Sequence, residues 1–153
     1  MSPIEALALA TSIGAQSPCA KSKRGVVVFQ TGGAMPTQLI ASGCNGPPGD
    51  FVCDGSDACR AVCGKIAVHA EDRAIRGAGR FAEGADLLHV KVVDGVAVPS
   101  GGPSCWQCSR TIVDAGIEGV WLLHADGLRR YTAAEFHCLT LAACGLHCTE
   151  RSS

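Results

Sequence analysis

Two short motifs concentrate groups able to hold a metal ion beside an acid–base residue. The first is Val68-His69-Ala70-Glu71, and the second is Pro103-Ser104-Cys105-Trp106-Gln107-Cys108. Each is predicted to open a helix. In a Cys-x-x-Cys at a helix N-terminus both sulfurs lie on one face. The positive end of the helix dipole and the unpaired N–H groups there favour the thiolate form that binds metal. His69, Cys105 and Cys108 would give zinc three protein ligands and leave the fourth position to water, the arrangement of a catalytic rather than a closed structural site. Glu71, two residues beyond the histidine, can reach that water without ligating the metal. A proton shuttle beside a metal-activated nucleophile is what metal-assisted hydrolysis requires. Two thiolates cancel the ion's formal charge and weaken its acidifying effect on water, which makes the carboxylate more necessary. Taken singly, each motif is weak: a Cys-x-x-Cys can be a redox pair or two buried small hydrophobes, and His-x-Glu triplets arise by chance. Their combination, with a single predicted strand between them, favours catalytic zinc, since a structural zinc leaves Glu71 without a role.

These residues need a framework, and the composition bounds it. The chain has 153 residues, 47% hydrophobic and 18% charged, with a net charge of −1. That is enough apolar material for one core and too much for a disordered tail. The balanced charge provides no global basic field to draw the protein onto nucleic acid or anionic lipid. No run of 18 apolar residues is present, so no membrane-spanning helix is expected. The opening MSPIEALALA lacks a basic region and carries Glu5, unlike a signal peptide. A cytoplasmic protein is therefore expected. In that compartment ten cysteines point to metal more than to disulfides.

The chain carries no internal repeat or dividing linker and is expected to form a single domain over 1–153. Residues 3–16 read as a helix, with Pro3 and Glu5 suited to its first turn. A strand is predicted at 25–30, a Thr31-Gly32-Gly33 turn follows, and a second strand at 38–44 completes a hairpin. Asn45-Gly46-Pro47-Pro48-Gly49-Asp50 breaks regular structure, and an irregular Cys-rich insert is expected at about 44–65. Further elements are predicted at 68–78 (helix), 87–93 (strand), 104–115 (helix), 120–124 (strand) and 132–144 (amphipathic helix). Strands alternating with helices imply a mixed sheet covered on both faces, an α/β sandwich.

His-x-Glu followed by a Pro and Cys-x-x-Cys is the signature of the zinc-dependent nucleoside and nucleotide deaminases. The sequence resembles the cytidine/deoxycytidylate deaminase superfamily, and within it the deoxycytidylate branch. Four stretches carry the resemblance in order: Ser17-Pro18-Cys19-Ala20-Lys21-Ser22-Lys23-Arg24-Gly25-Val26-Val27, Ser42-Gly43-Cys44-Asn45-Gly46-Pro47, His69-Ala70-Glu71, and Ser104-Cys105-Trp106-Gln107-Cys108. They run from about residue 17 to residue 124. The resemblance implies a cytidine deaminase-like, three-layer α/β/α sandwich around a mixed sheet of about five strands. It implies zinc on His69, Cys105 and Cys108, and proton transfer by Glu71. Asn45 would contact the sugar, and Ala70 and Ser104 would line the substrate site. The implied reaction is hydrolytic attack of zinc-activated water on C4 of a cytosine ring. Glu71 would protonate N3 and then carry a proton to the leaving amine. The chain departs from the family pattern at Ser104 (between Pro103 and Cys105), at Cys44 (where an aromatic or His is usual) and at Asp72-Arg73-Ala74 after Glu71. These positions surround the substrate.

Cys53, Cys59 and Cys63 lie in an insert with little hydrophobic content of its own, which metal could staple. The resemblance adds Cys19, because some deoxycytidylate deaminases use a cysteine there for a second zinc. Cys19, Cys53, Cys59 and Cys63 are thus expected as a closed four-thiolate site, with free thiols, or Cys44 in place of one ligand, as the alternative. Cys44, Cys138, Cys144 and Cys148 are assigned to no metal, and His89 and His124 read as packed or surface histidines. Lys21, Lys23 and Arg24 would suit a phosphate or a solvated turn. Trp106 and Phe51 would suit base stacking or the core. The activity expected is conversion of dCMP to dUMP with release of ammonia. The alternatives are a free nucleoside, a modified base or single-stranded nucleic acid, or a zinc-stapled binding module without catalysis. Balanced charge weighs against nucleic acid as partner, and the resemblance implies a homo-oligomer acting on a small nucleotide or nucleoside.

Overall fold

The structure, a computed structural model, describes residues 1–31, 38–49, 51–100 and 105–148. Helix α1 (Pro3–Ala15) is followed by strands β1 (Lys23–Phe29) and β2 (Leu39–Cys44). Then come helices α2 (Asp57–Ile66) and α3 (Ala70–Ala78), the latter running into a 3₁₀ turn at Gly79–Ala82. Strands β3 (Asp86–Val93) and β4 (Val96–Val98) precede helix α4 (Trp106–Asp114). Strands β5 (Gly119–His124) and β6 (Gly127–Thr132) and helix α5 (Ala133–Ala143) end the described chain.

The sheet has six strands in the order β2-β1-β3-β5-β6, with β4 paired to β3. Only β3 and β5 are parallel; every other pair is antiparallel. The sheet is therefore mixed, with α4 as the crossover of its one parallel pair. Alternation along the central strands sorts side chains to two faces. Val27, Phe29, Leu88, Val90 and Val92 pack against Ala6 and Ala10 of α1. Val26, Val28, Leu87, Val120 and Leu122 pack against Ala74 and Ile75 of α3, Ile112 of α4 and Phe136 of α5. This is the expected three-layer sandwich, with one helix on one face and three on the other.

Small residues set how closely α1 approaches. A Cβ on Gly25 of β1 would run into the Ala10 carbonyl and the Gly14 backbone, so helix and strand meet backbone to backbone. The helix starts firmly, with Ser2 and Glu5 forming a capping box. Elsewhere on this same face of the sheet Asp86, fully buried, accepts from both Nε and Nη2 of Arg130 at 2.8 Å and from Trp121 Nε1 at 2.7 Å. This clasp joins β3, β5 and β6, and Gly119 makes room for the Arg130 guanidinium beside it.

Three elements differ from the sequence expectations. The insert at 57–66 is a helix and not irregular: Ser56 caps it by accepting from the Cys59 N–H, and Asp57 and Lys65 suit its two ends. Only Cys59 of this helix is buried. Strand β4 follows a turn in which Asp94 and Gly95 both take positive φ, the Asp-Gly hairpin signal. Strand β6 is the other unexpected one. The structure also joins Cys138 and Cys148 by a disulfide, against the expectation that disulfides are disfavoured. After α5 the chain turns at Gly145, with φ of 79°, and this return brings Cys148 back to Cys138. Among the described residues no helix is long and apolar enough to cross a membrane.

Candidate metal centre and its surroundings

The first motif caps α3 and the second caps α4. His69 is the N-cap residue of α3, and Cys105 is the N-cap residue of α4, where its sulfur accepts from the Cys108 N–H. Both helices lie on the same face of the sheet, so two positive helix ends meet at one point. There His69 Nδ1 lies 3.0 Å from Cys108 Sγ and 3.4 Å from Cys105 Sγ, with the sulfurs 3.2 Å apart. Among the described residues this is the one group of three or more His, Cys, Asp or Glu side chains whose ligand atoms all lie within 4.8 Å of one another.

The donor set fits zinc. A tetrahedral ion with sulfur at about 2.3 Å and nitrogen at about 2.0 Å holds its ligands roughly 3.5–3.8 Å apart, a few tenths of an ångström wider than these three atoms stand. The protons are already arranged for a cation. Hydrogen bonding to Cys108, and then to His69, pulls the Cys105 thiol down to about 4 despite burial. The Cys108 thiol, which shares that proton and is buried, is held up instead, and contact with the Cys105 thiolate raises His69. A metal ion bound here would compete with protons for these same ligand atoms.

Glu71 lies in the first turn of α3 and is buried. Its Oε1 stands 3.8 Å from Nε2 of His89, and both side chains are more than nine-tenths buried. Neither motif points to this pairing, because His89 belongs to β3. Period-two alternation does place it on the face that carries Leu87, toward α3, and that was the available signal. Burial is the main influence on the ring and pushes its pKa down, with Glu71 opposing.

The loop after β2 is bound tightly to this helix start. Gly46 and Val68 form an antiparallel bridge, with N···O distances of 3.1 and 2.8 Å, next to His69. Arg73, one turn beyond His69, donates to the carbonyls of Cys44 at 3.2 Å, Gly46 at 3.3 Å and Pro47 at 3.1 Å. The Asp72-Arg73 departure thus supplies a clamp on the loop that carries Asn45. The Asn45 carboxamide is itself engaged: Oδ1 accepts from the Arg24 N–H at 2.7 Å, and Nδ2 donates to the Ser22 carbonyl at 2.7 Å. A sugar contact at Asn45 therefore has to share these groups. Ala70 is buried at the start of α3, and Ser104 lies outside the described residues.

A cavity of about 400 Å³ lies against His69 and Cys108, bounded by α2, α3 and α4, with Lys65, Asp72, Gln107 and Arg110 in its wall. Trp106 and Phe51 are exposed rather than core, and Arg110 lies over the Trp106 ring. Lys23 and Arg24 are tied to their own chain, at the Ala15 carbonyl and Ser22 Oγ.

The second cysteine group is looser. Cys53 and Cys59 sulfurs are 3.7 Å apart, and the Ala20 N–H donates to Cys53 Sγ, lowering that thiol. Cys19 Sγ accepts from the Ser22 N–H, and Cys63 turns to the Arg60 carbonyl one turn back. No three of the four bring their sulfurs within 4.8 Å of one another.

Known structures share this architecture. Cytidine deaminase from Burkholderia pseudomallei superposes with a TM-score of 0.59 at 18% identity, over 89% of this chain and 96% of that one. The dCMP deaminase of cyanophage S-TIM5 gives 0.55 at 23% identity, over 78% and 82%. The chain has the cytidine deaminase fold. No family model matches the sequence, and no curated protein matches it. Within the cytidine deaminase fold of this chain, the His69/Cys105/Cys108 group sits where the two capped helices converge.

Proposed function

We propose that the protein is a zinc-dependent hydrolytic deaminase acting on the cytosine ring of a small nucleotide, with dCMP converted to dUMP and ammonia. The observation that carries this reading is the convergence of His69, Cys105 and Cys108 at two helix N-termini beside a buried glutamate that ligates nothing. Zinc held by those three side chains would supply an activated water at neutral pH. Glu71 would take a proton from the water and pass it to N3 as the oxygen bonds to C4, then take the remaining hydroxyl proton and deliver it to the amine at C4, which leaves as ammonia. Water is consumed, the C4–N bond breaks, and the ring leaves as uracil. The Gly46–Val68 bridge and the Arg73 clamp hold the loop of Asn45 beside the centre, where it would meet the sugar, and Ala70 and Ser104 would line the base.

A closed second zinc on Cys19, Cys53, Cys59 and Cys63 is part of the same proposal. Its support is the approach of Cys53 to Cys59 and the Ala20–Cys53 hydrogen bond, which sets Cys19 beside them. Metal analysis giving two zinc ions per chain is the expected result, and one ion removes this part. A cytoplasmic homo-oligomer without nucleic-acid partners completes the picture. The decisive experiment is an ammonia-release screen of the zinc-loaded protein over cytosine, cytidine, deoxycytidine, their monophosphates and single-stranded DNA. Turnover highest on dCMP is expected. Turnover confined to a nucleoside or to DNA moves the substrate, and none at all leaves a zinc-stapled binding module.

A further inference from the structure

We propose that His89 is the positioning residue for Glu71, its Nε2 holding one oxygen of the carboxylate so that the other is aimed at the reacting atoms. This rests on the deaminase reading above and adds to it a residue outside both motifs. His89 sits mid-strand in β3, paired to Val26 of β1 on one side and to Leu122 of β5 on the other. Val26, Val28, Leu87 and Val120 make up the apolar part of its face of the sheet, with Arg24 and Lys91 on the same face two residues along. An imidazole placed there costs free energy unless its nitrogens meet polar partners. Glu71 Oε1, 3.8 Å from Nε2, is the one ion-pair contact of the ring among the described residues.

The two groups come from different elements, and that makes the contact useful. A central strand hydrogen-bonded on both sides is among the most rigid supports a fold offers, and α3 packs on the same face of the sheet, over β1 and β2. Glu71 lies in the first turn of that helix, and nothing in the His-x-Glu motif restrains rotation of its carboxyl group. A donor fixed in the sheet does. The distance is longer than a hydrogen bond, and such contacts commonly shorten when substrate closes the site. Both the neutral Nε2–H tautomer and the imidazolium donate from this nitrogen, so the role needs no change in protonation.

The test compares zinc-loaded His89→Leu and His89→Gln with wild type on the best substrate of the ammonia screen. Leucine fills the space without a donor, and glutamine returns an N–H near the position of Nε2. Expected is a loss of about 10–100-fold in kcat for His89→Leu, with KM within about twofold, and recovery of most of the loss by His89→Gln. Unchanged kcat in the leucine variant, equal losses in both variants, or a change confined to KM overturns the proposal. A second readout does not depend on turnover. The His89 ring signals in ¹⁵N NMR should shift in Glu71→Ala and stay in place in Asp72→Ala. Unmoved signals in Glu71→Ala overturn the contact, including where His89→Leu fails to fold. A wild-type protein that releases no ammonia, with the NMR shift present, refutes the deaminase reading and leaves the contact as structural.

Discussion

Cys105 and Cys108 on one side, and Cys53, Cys59 and Cys63 on the other, present the same thiol chemistry in two unlike settings. The first pair stands at the N-cap and third position of α4, with the Cys105 sulfur already accepting the Cys108 N–H. His69 caps the neighbouring α3, so sheet and helices together bring three ligand atoms to one point. The second group straddles a loop and the exposed helix α2: the Cys53 and Cys59 sulfurs approach each other, Cys53 also accepts from the Ala20 N–H, and Cys63 turns to a backbone carbonyl. Capped helices packed on a common sheet pre-organise a centre. Cysteines on an element with one buried residue depend on the metal itself to gather them.

The sharpest way to break the comparison is to remove its chemistry while sparing its ligands. Glu71→Ala should lower kcat by about 10²–10⁴-fold, as expected for loss of a general acid–base, and leave the zinc content unchanged. Substantial remaining turnover would take the shuttle away from Glu71. Next, the two groups can be emptied separately. Cys105→Ala should lose the catalytic zinc, abolish turnover and leave the melting temperature little changed, because the helices already pack without it. Cys59→Ala should lose the second zinc proposed above and destabilise residues 51–66, measured by hydrogen exchange, while substantial activity remains. Identical metal loss and identical kinetics in the two variants would erase the distinction. The smallest effect is expected at the seam between the regions. Arg73→Ala removes three charge-assisted bonds to the loop of Asn45, each contributing about 1.5–3 kcal/mol at most. KM should rise severalfold with kcat within about threefold, and unaltered KM would show that the clamp does not shape substrate binding.

Much of this was legible in the linear chain. Val26, Val27 and Val28, Leu87 and Leu88, and the glycines that end the helices mark the central strands and their neighbours through periodicity and turn chemistry. The His69 and Cys105 motifs are local: each lies within four residues of a helix start, so their spacing alone predicts a shared face. Helix α2 was harder to read because it follows the Pro- and Gly-rich break at 45–50 and its short apolar stretches are interrupted by Arg60, Gly64 and Lys65. The Asp94-Gly95 hairpin carried a clear signal, but β4 is only three residues long. The Cys138–Cys148 disulfide depends on how the chain folds back after α5, which spacing does not specify.

By itself, the sequence determined which residues carry metal-binding and proton-transfer groups and which elements bear them, because those choices follow from residue type and from the periods of helix and strand. Tertiary structure alone decided who stands beside whom across elements. It set His89 of β3 against Glu71 of α3, laid Arg73 over the carbonyls of residues 44–47, and sank Asp86 between Arg130 and Trp121. The physical reason is common to all three. Each contact joins groups far apart in the chain, and its partner is selected by the layering of sheet and helices and by the need of a buried polar group for a counterpart.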